Sequence, residues 1–189
     1  MSILTYLKQL LDAREAGRKR ENAKSARETA DKLFPAEKWI KAEDGIYLSP
    51  RRAVGKKSNY RDELRDAQIL RDLGNTVYLV AENSRQTGKK YDALVNGQKM
   101  EFKNIHGASI RTFKVHFLDS RSQAPNVFIN LEKSSLEKHQ VISALYGVRN
   151  DVERYSKKNS FSGGLVILKI RGQKNLIYLD VDSLKFKKL

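Results

Sequence analysis

The segment 91–104, which reads Y-D-A-L-V-N-G-Q-K-M-E-F-K-N, constrains the fold more than any other part of the chain. It places Asn-Gly between two runs of alternating apolar residues, the strongest short-range signal for a β-hairpin with a two-residue turn. If Asn96 and Gly97 form that turn, counting outward puts Asp92 opposite Glu101. Like charges that face each other across a sheet are destabilising, so this pair of acids needs a compensating group.

A divalent cation held between the two acids is one such group. Lys103 lies two residues beyond Glu101 and therefore projects from the same face of its strand. The opposite face has the apolar character of a core, with Ala93, Val95, Met100 and Phe102. The hairpin is therefore predicted to have one apolar face and one face that carries Asp92, Glu101 and Lys103.

The charge of the chain predicts a polyanionic partner. Lysine and arginine number 37 against 22 acidic residues, a formal net charge of +15 over 189 residues. Nucleic acid is the first expectation for such a partner. A membrane surface and an acidic protein are the alternatives.

Several classes of protein are disfavoured by composition. The chain has no cysteine, which excludes disulfides, thiolate catalysis and cysteine-ligated zinc. It also has no apolar run long enough to span a bilayer and no apolar core of a signal peptide, so membrane insertion is not expected. We expect a cytoplasmic site of action, reached in the cell of synthesis or by delivery from another cell.

The N-terminal part, residues 1–35, is predicted to be a basic helical extension of a domain that spans residues 36–189. Leucines form an apolar stripe at the start of the helix, but beyond Ala16 the stripe thins to alanines and charges dominate. Pro35 ends the helix. A helix with so weak an apolar face is expected to be partly detached, either as a partner-binding or dimerising helix or as a solvated one.

The rest of the chain alternates helices and strands. Helices are predicted over 58–73, 109–122 and from Ser134 or Ser135 to residue 155, and strands over 45–48, 76–81, 126–131, 165–170 and 176–181, in addition to the hairpin. This pattern predicts an α/β or α+β domain with a mixed central β-sheet flanked by helices.

The acids and the lysine of the hairpin suit metal-dependent phosphodiester hydrolysis. One or two Mg²⁺ ions held by carboxylates activate a water and neutralise charge on the phosphate, and a lysine orients the water or offsets the developing charge. Glu63, four residues before Ala67 and seven before Leu70, is a candidate third acid on the buried face of its helix. Asp62 and Asp66 are the alternatives in the same helix.

These residues resemble the core of the PD-(D/E)XK nuclease superfamily, a restriction-endonuclease-like fold. The phrase G-K-K-Y-D-A-L-V-N-G-Q-K-M-E-F-K-N-I is most similar to the C-terminal tRNA-cleaving toxin domains of CdiA-type contact-dependent inhibition proteins. The resemblance covers about residues 58–189, and the chain departs from the superfamily pattern at Tyr91, where a proline is usual. Similar domains occur in phage and mobile-element proteins.

The resemblance implies specific roles. Asp92, Glu101 and the helix acid Glu63 would bind Mg²⁺ or Mn²⁺, and Lys103 would be the catalytic lysine. It also implies polar residues after the hairpin that contact phosphate, for which Thr112 and Gln123 are the candidates. It further implies tRNA as substrate and an immunity protein as partner, which should be acidic because the toxin surface is basic.

Basic residues on either side of the hairpin in sequence are candidates for phosphate contacts. The set comprises Arg51, Arg52, Lys56, Lys57, Arg85, Lys89 and Lys90. Each is by itself a common kind of solvated surface charge, but together they are consistent with the net charge. Tyr91 is a candidate for stacking on a base, with core packing as the alternative.

The sequence thus predicts a Mg²⁺-dependent nuclease that hydrolyses RNA. The first alternative is a DNA endonuclease of phage or mobile-element origin, and the second is a non-catalytic basic nucleic-acid-binding protein on a nuclease-like core. An intact Asp92, Glu101 and Lys103 favours the enzyme over the binding protein.

Overall fold

A computed structural model describes residues 16–53, 57–81, 91–155, 164–180 and 186–188. The chain divides into two compact units, Met1–Met100 and Glu101–Leu189. Each unit combines helices with parallel and antiparallel strands, so the predicted mixed-sheet α+β class is confirmed.

The first unit contains a mixed sheet whose strand order follows the chain. Strands β2 and β3 are parallel, and the other pairs are antiparallel. The parallel pair needs a crossover connection, which α2 and α3 supply. The elements are α1 (Ala16–Leu33), β1 (Ile40–Glu43), β2 (Ile46–Leu48), α2 (Pro50–Ala53), α3 (Lys57–Asp72), β3 (Val77–Leu79), β4 (Ala93–Val95) and the first part of β5 (Gln98–Asn104).

Helix α3 follows the predicted pattern closely. Ala67 and Leu70 are fully buried, which confirms its predicted core face. The helix ends before Gly74, whose φ of +89° is a left-handed conformation that glycine adopts without strain. The chain then enters β3 through the buried residues Asn75 and Thr76.

The second unit repeats the mixed pattern. Strands β6 and β7 are parallel with α5 as their crossover, while β7, β8 and β9 form antiparallel pairs. Alternate residues of β6, β7 and β8, such as Ile129 and Leu168, form one core with Phe113 of α4 and Leu145 of α5. The elements are the remainder of β5, α4 (Ile110–Gln123), β6 (Asn126–Leu131), α5 (Lys138–Tyr155), β7 (Leu165–Ile170), β8 (Ile177–Asp180) and β9 (Phe186–Lys188).

Most predicted elements are present, but α5 begins later than expected. Ser134 or Ser135 was predicted to cap this helix, yet Ser134 is fully buried and its hydroxyl donates to the carbonyl of Gly107. The same hydroxyl accepts the amide of Leu136 at 3.1 Å. Ser134 therefore connects the segment after β6 to the segment after β5, and the helix starts four residues later, at Lys138. Strands β1 and β9 were not predicted.

The alanines of α1 are more than a thin stripe. Ala26 and Ala30 are fully buried, and Phe34 after the helix is 2% exposed. The described part of α1 therefore contributes to the core of the first unit, while the boundary at residue 35 and dimerisation through this segment stay predictions. Among the described residues, no helix has the length and apolar character needed to cross a membrane.

Candidate active site

The hairpin of β4 and β5 has the predicted two-residue turn. Val95 pairs with Gln98, and Asn96 and Gly97 have φ values of +48° and +79°. Positive φ at both central residues is the type I′ geometry that Asn-Gly favours. The register continues outward to Ala93 and Met100, and Asp92 and Glu101 are the next residue on each strand. That these two acids face each other stays a prediction.

The turn is tied to the chain segment between α3 and β3. The amide of Asn96 donates to the carbonyl of Thr76 at 2.9 Å, and its side-chain oxygen accepts the Thr76 amide at 2.9 Å. Its side-chain nitrogen donates to Asn75 Oδ1 at 2.8 Å, and Asn75 in turn donates to the carbonyl of Leu70. These bonds connect the turn to the C-terminal end of α3, and so to the helix that carries Glu63.

Asp92 lies at the start of β4 and is half-buried. Its carbonyl accepts the amide of Val80 at 2.9 Å, which extends the pairing of β3 and β4 by one residue. The backbone of this acid is therefore held by the sheet rather than by a loop.

Tyr91, just before Asp92, belongs to the core. It is 5% exposed and packs against Phe34 at a ring-centroid distance of 6.4 Å, with Lys99 Nζ 5.3 Å above its ring. Burial raises the pKa of its hydroxyl to about 12. The ring is therefore not available to stack on a base at the surface, and core packing is the correct interpretation.

Glu101 and Lys103 form a close ion pair on β5. Lys103 Nζ lies 2.7 Å from Glu101 Oε1, and the side chains are 26% and 4% exposed, respectively. The ammonium compensates the cost of burying the carboxylate, and the lysine retains contact with solvent. Phe102 points the other way and packs against Phe128 at 5.9 Å between ring centroids. The predicted alternation of an apolar and a charged face along β5 is thus confirmed.

Three acids of α3 differ in burial. Glu63 and Asp62 are half-buried, whereas Asp66 is completely buried. Asp66 precedes Leu70 by four residues, so the same helical spacing that selected Glu63 also places Asp66 on the apolar face. From the sequence, Asp66 was only an alternative to Glu63, and the missed signal was this second spacing. The assignment of Glu63 as the third acid stays a prediction, with Asp66 as the buried acid of this helix.

The candidate acids carry carboxylate oxygens, and these suit a hard divalent cation. Carboxylate oxygens are the ligands that Mg²⁺ prefers, and Mg²⁺ usually takes one or two of them and keeps several waters. Within the described ranges, no group of three or more histidine, aspartate or glutamate side chains is gathered as a metal site. Of the candidate donors, Glu101 has a defined side-chain partner, Lys103, which lies 2.7 Å away.

The predicted phosphate-binding cations fall mostly on chain segments that the structure does not describe. Arg51 is exposed in α2. Arg52 and Lys57 lie in α2 and α3, but their side chains are outside the described part. The remaining predicted cations, Lys56, Arg85, Lys89 and Lys90, lie outside the described residues.

Thr112 and Gln123 lie at opposite ends of α4. Thr112 is exposed in the first turn, where its amide donates to the N-capping hydroxyl of Ser109 at 3.2 Å. Gln123 is half-buried at the last residue of the helix. Eleven residues of α-helix separate them by about 16 Å. The structure therefore does not bring these two candidates together, while it confirms Ser109 as the start of the helix.

Comparisons with known proteins give a structural similarity but no match in sequence. No protein-family model matches the chain, and no curated protein matches it. Among solved structures, it is similar to a chain of a CdiA-CT/CdiI toxin and immunity complex from Burkholderia pseudomallei. The two share 20% sequence identity with a TM-score of 0.45, over 67% of this chain and 89% of the other.

Proposed function

We propose that this protein is a metal-dependent nuclease that hydrolyses phosphodiester bonds in RNA, with tRNA as the favoured substrate. The observation that carries the proposal is the Glu101–Lys103 pair, a nearly buried carboxylate bonded to a lysine at 2.7 Å on one strand of a strongly basic chain. Burying a charged pair costs free energy, so a pair kept in this position on the strand calls for a role that offsets the cost.

Each residue has a proposed role. Glu101 and Asp92 would hold Mg²⁺ or Mn²⁺ with Glu63 as the third acid, and a bound ion would supply Lewis-acid activation of water and phosphate. Lys103 is partly exposed, so its ammonium can reach a phosphate oxygen and offset the negative charge that develops there. Glu101 keeps that ammonium in place through their hydrogen bond.

The proposed setting is the cytoplasm of a target cell, reached by delivery from another cell or through a mobile element. A nuclease of this kind endangers the cell that makes it, so an acidic immunity protein is the expected partner. The net charge of +15 supports this expectation, since a complementary surface on an inhibitor would be negative.

The decisive experiment incubates the purified protein with total tRNA and with plasmid DNA, each with Mg²⁺ and with EDTA. We expect cleavage of tRNA that requires the divalent ion and is lost in EDTA. Cleavage that continues unchanged in EDTA would eliminate the metal mechanism.

The same experiment distinguishes the alternatives. Nicking or linearisation of the plasmid without loss of tRNA would identify a DNA endonuclease. Retardation of both nucleic acids in a gel without cleavage of either would identify the non-catalytic binding protein.

A further inference from the structure

The carboxyl ends of three strands meet at one edge of the second unit. Strands β6 and β7 are parallel, and Leu131 pairs with Ile170 at their ends. The amide of Ile105, just after β5, donates to the carbonyl of Asn130 at 2.9 Å, and Gly107 and Ser134 form a parallel bridge. The segments that follow β5, β6 and β7 therefore leave the sheet on the same side.

Exposed cations follow each of these strand ends. Lys133 comes two residues after β6, while Arg171 follows β7 directly and Lys174 lies in the same loop. Arg111 is exposed in the first turn of α4, which begins three residues after Gly107. We call these four residues the basic rim: Arg111, Lys133, Arg171 and Lys174.

The described residues of this edge include two acids, which is fewer than the four cations of the basic rim. Glu132 is half-buried and lies 3.8 Å from Lys169 Nζ, and Glu137 faces His139 Nδ1 at 3.2 Å. The first turn of α4 contains no acid. The edge as a whole therefore has an excess of positive charge.

The loop that carries Arg171 and Lys174 is held in shape. The amide of Gln173 donates to the carbonyl of Ile170 at 3.0 Å, and Lys169 Nζ donates to the carbonyl of Gln173 at 3.3 Å. A Cβ atom added at Gly172 would meet no other atom within 4 Å, so the tip of the loop faces open space. The two cations are thus presented by a short, ordered turn.

We propose that the basic rim binds the phosphodiester backbone of the nucleic acid on which the Glu101–Lys103 pair acts. This assignment rests on the proposed function, and it adds a binding surface that sequence reasoning did not identify. Gly107 follows Lys103 by four residues, a span of at most about 14 Å, which the backbone of a few nucleotides covers.

The chemistry of the rim favours nucleic acid over an acidic protein. Arginine and lysine on an exposed polar edge suit phosphate groups, which fix position without reading sequence. Protein interfaces depend on buried aromatic or apolar anchors. Among the described residues of this edge, one large apolar side chain is exposed, that of Ile110 at 39%. The rim is therefore expected to bind backbone of either RNA or DNA, with the substrate choice made elsewhere.

The test measures binding by fluorescence anisotropy in EDTA, so that binding is observed without metal-dependent cleavage. The probes are labelled tRNA and a labelled DNA duplex, each measured over a range of salt concentrations. The variant is the double substitution Arg171→Gln and Lys174→Gln. The logarithm of the binding constant falls linearly with the logarithm of the salt concentration, and each lost phosphate contact should make this slope shallower by about 0.7–0.9. The double variant should therefore make it shallower by about 1.5. The matched control is Lys24→Gln with Lys32→Gln on α1, which removes the same charge from exposed positions of the first unit.

The rim is supported if its variant reduces the slope for both probes and the control variant does not. An equal reduction by the control would show diffuse attraction and overturn the proposal. Unchanged nucleic-acid binding together with weaker binding to polyglutamate would overturn it in favour of an acidic protein. If binding depends on the rim but neither probe is cleaved in Mg²⁺, the proposal for the basic rim is supported and the proposed nuclease function is rejected.

Discussion

The two hairpins of this protein, β4–β5 and β7–β8, use their turns in opposite ways. The first has a two-residue turn whose Asn96 side chain is bonded to Asn75 and Thr76, and a Cβ at Gly97 would lie 2.9 Å from Thr29 Oγ1. The second has an exposed loop, 171–175, in which Gly172 borders open space. The first turn is half-buried and contacts neighbouring segments, whereas the second is exposed to solvent.

The difference follows from what each hairpin supports. The tight turn sets the register of strands that carry Asp92, Glu101 and Lys103, and a slip of one residue would reverse every side chain. The strands of the second hairpin are almost entirely apolar and buried, so their register is set by the core and the loop is free to carry cations. Chemistry is thus proposed for the first hairpin and phosphate binding for the second.

The largest expected effect is on cleavage and comes from the first hairpin. Asp92→Asn keeps the size of the side chain but removes the charge that would bind the metal, and we expect a loss of about 100-fold or more in the rate of tRNA cleavage. Gel-based cleavage rates in Mg²⁺, with a melting curve to show that the fold is retained, provide the measurement. The rim variant is the contrast, because it should weaken binding while cleavage at saturating tRNA persists. Full activity of Asp92→Asn would remove this residue from the site.

The second prediction compares the glycines of the two turns. Gly97→Ala and Gly172→Ala place a side chain at nearly equal positive φ values, +79° and +73°. The backbone strain, about 1–2 kcal/mol, should therefore be the same in both variants. At Gly97 the new methyl also meets Thr29 Oγ1 at 2.9 Å and Cβ at 3.2 Å, so rotation of the threonine alone does not clear the space. Gly97→Ala should therefore be more destabilising by about 1 kcal/mol or more, read as a Tm lower by a few degrees. Equal melting temperatures would show that the first turn is not packed as described.

The smallest effect at neutral pH concerns Tyr91, just before the first hairpin. Its hydroxyl is buried and has no hydrogen-bond partner among the described residues, so Tyr91→Phe should raise stability at neutral pH by about 1 kcal/mol. Burial raises its pKa from 10.0 to about 12, so the folded protein holds this proton more tightly than the unfolded chain. Relative to neutral pH, the free energy of unfolding therefore falls by about 2–3 kcal/mol as the pH rises from 10 through 12, because the unfolded chain ionises first.

Tyr78 is the matched control for that substitution. Burial also raises the pKa of Tyr78 to about 12, but its hydroxyl interacts with Arg27 through a hydrogen bond. Tyr78→Phe should therefore lower stability at neutral pH, while both variants should reduce the alkaline loss of stability. Chemical denaturation at pH 7 and pH 11 measures both effects. A destabilised Tyr91→Phe at pH 7 would mean that its hydroxyl has an acceptor.

Local signals in the sequence were sufficient for much of the fold. Asn-Gly predicted the turn because few dipeptides adopt two consecutive positive φ values, and period-two alternation predicted the faces of β5. Ser109 was correctly identified as the start of α4. The late start of α5 was missed because Ser134 has the residue type of a helix cap, and only the approach of Gly107 shows its actual hydrogen bond.

For the candidate site, too, part could be predicted from the sequence and part required the structure. The sequence alone determined which residue types could hold a metal and where on their strands they lie, because spacing along a strand fixes the face of a side chain. Only the tertiary structure decided that Glu101 is buried against Lys103, that Asp66 rather than Glu63 is the buried acid of α3, and that Tyr91 is a core residue. It also decided that cations far apart in sequence, such as Lys133 and Arg171, share one edge, because that depends on two strands running parallel. A local pattern indicates which face of an element is buried, but the partners on that face come from segments that meet only in the folded chain.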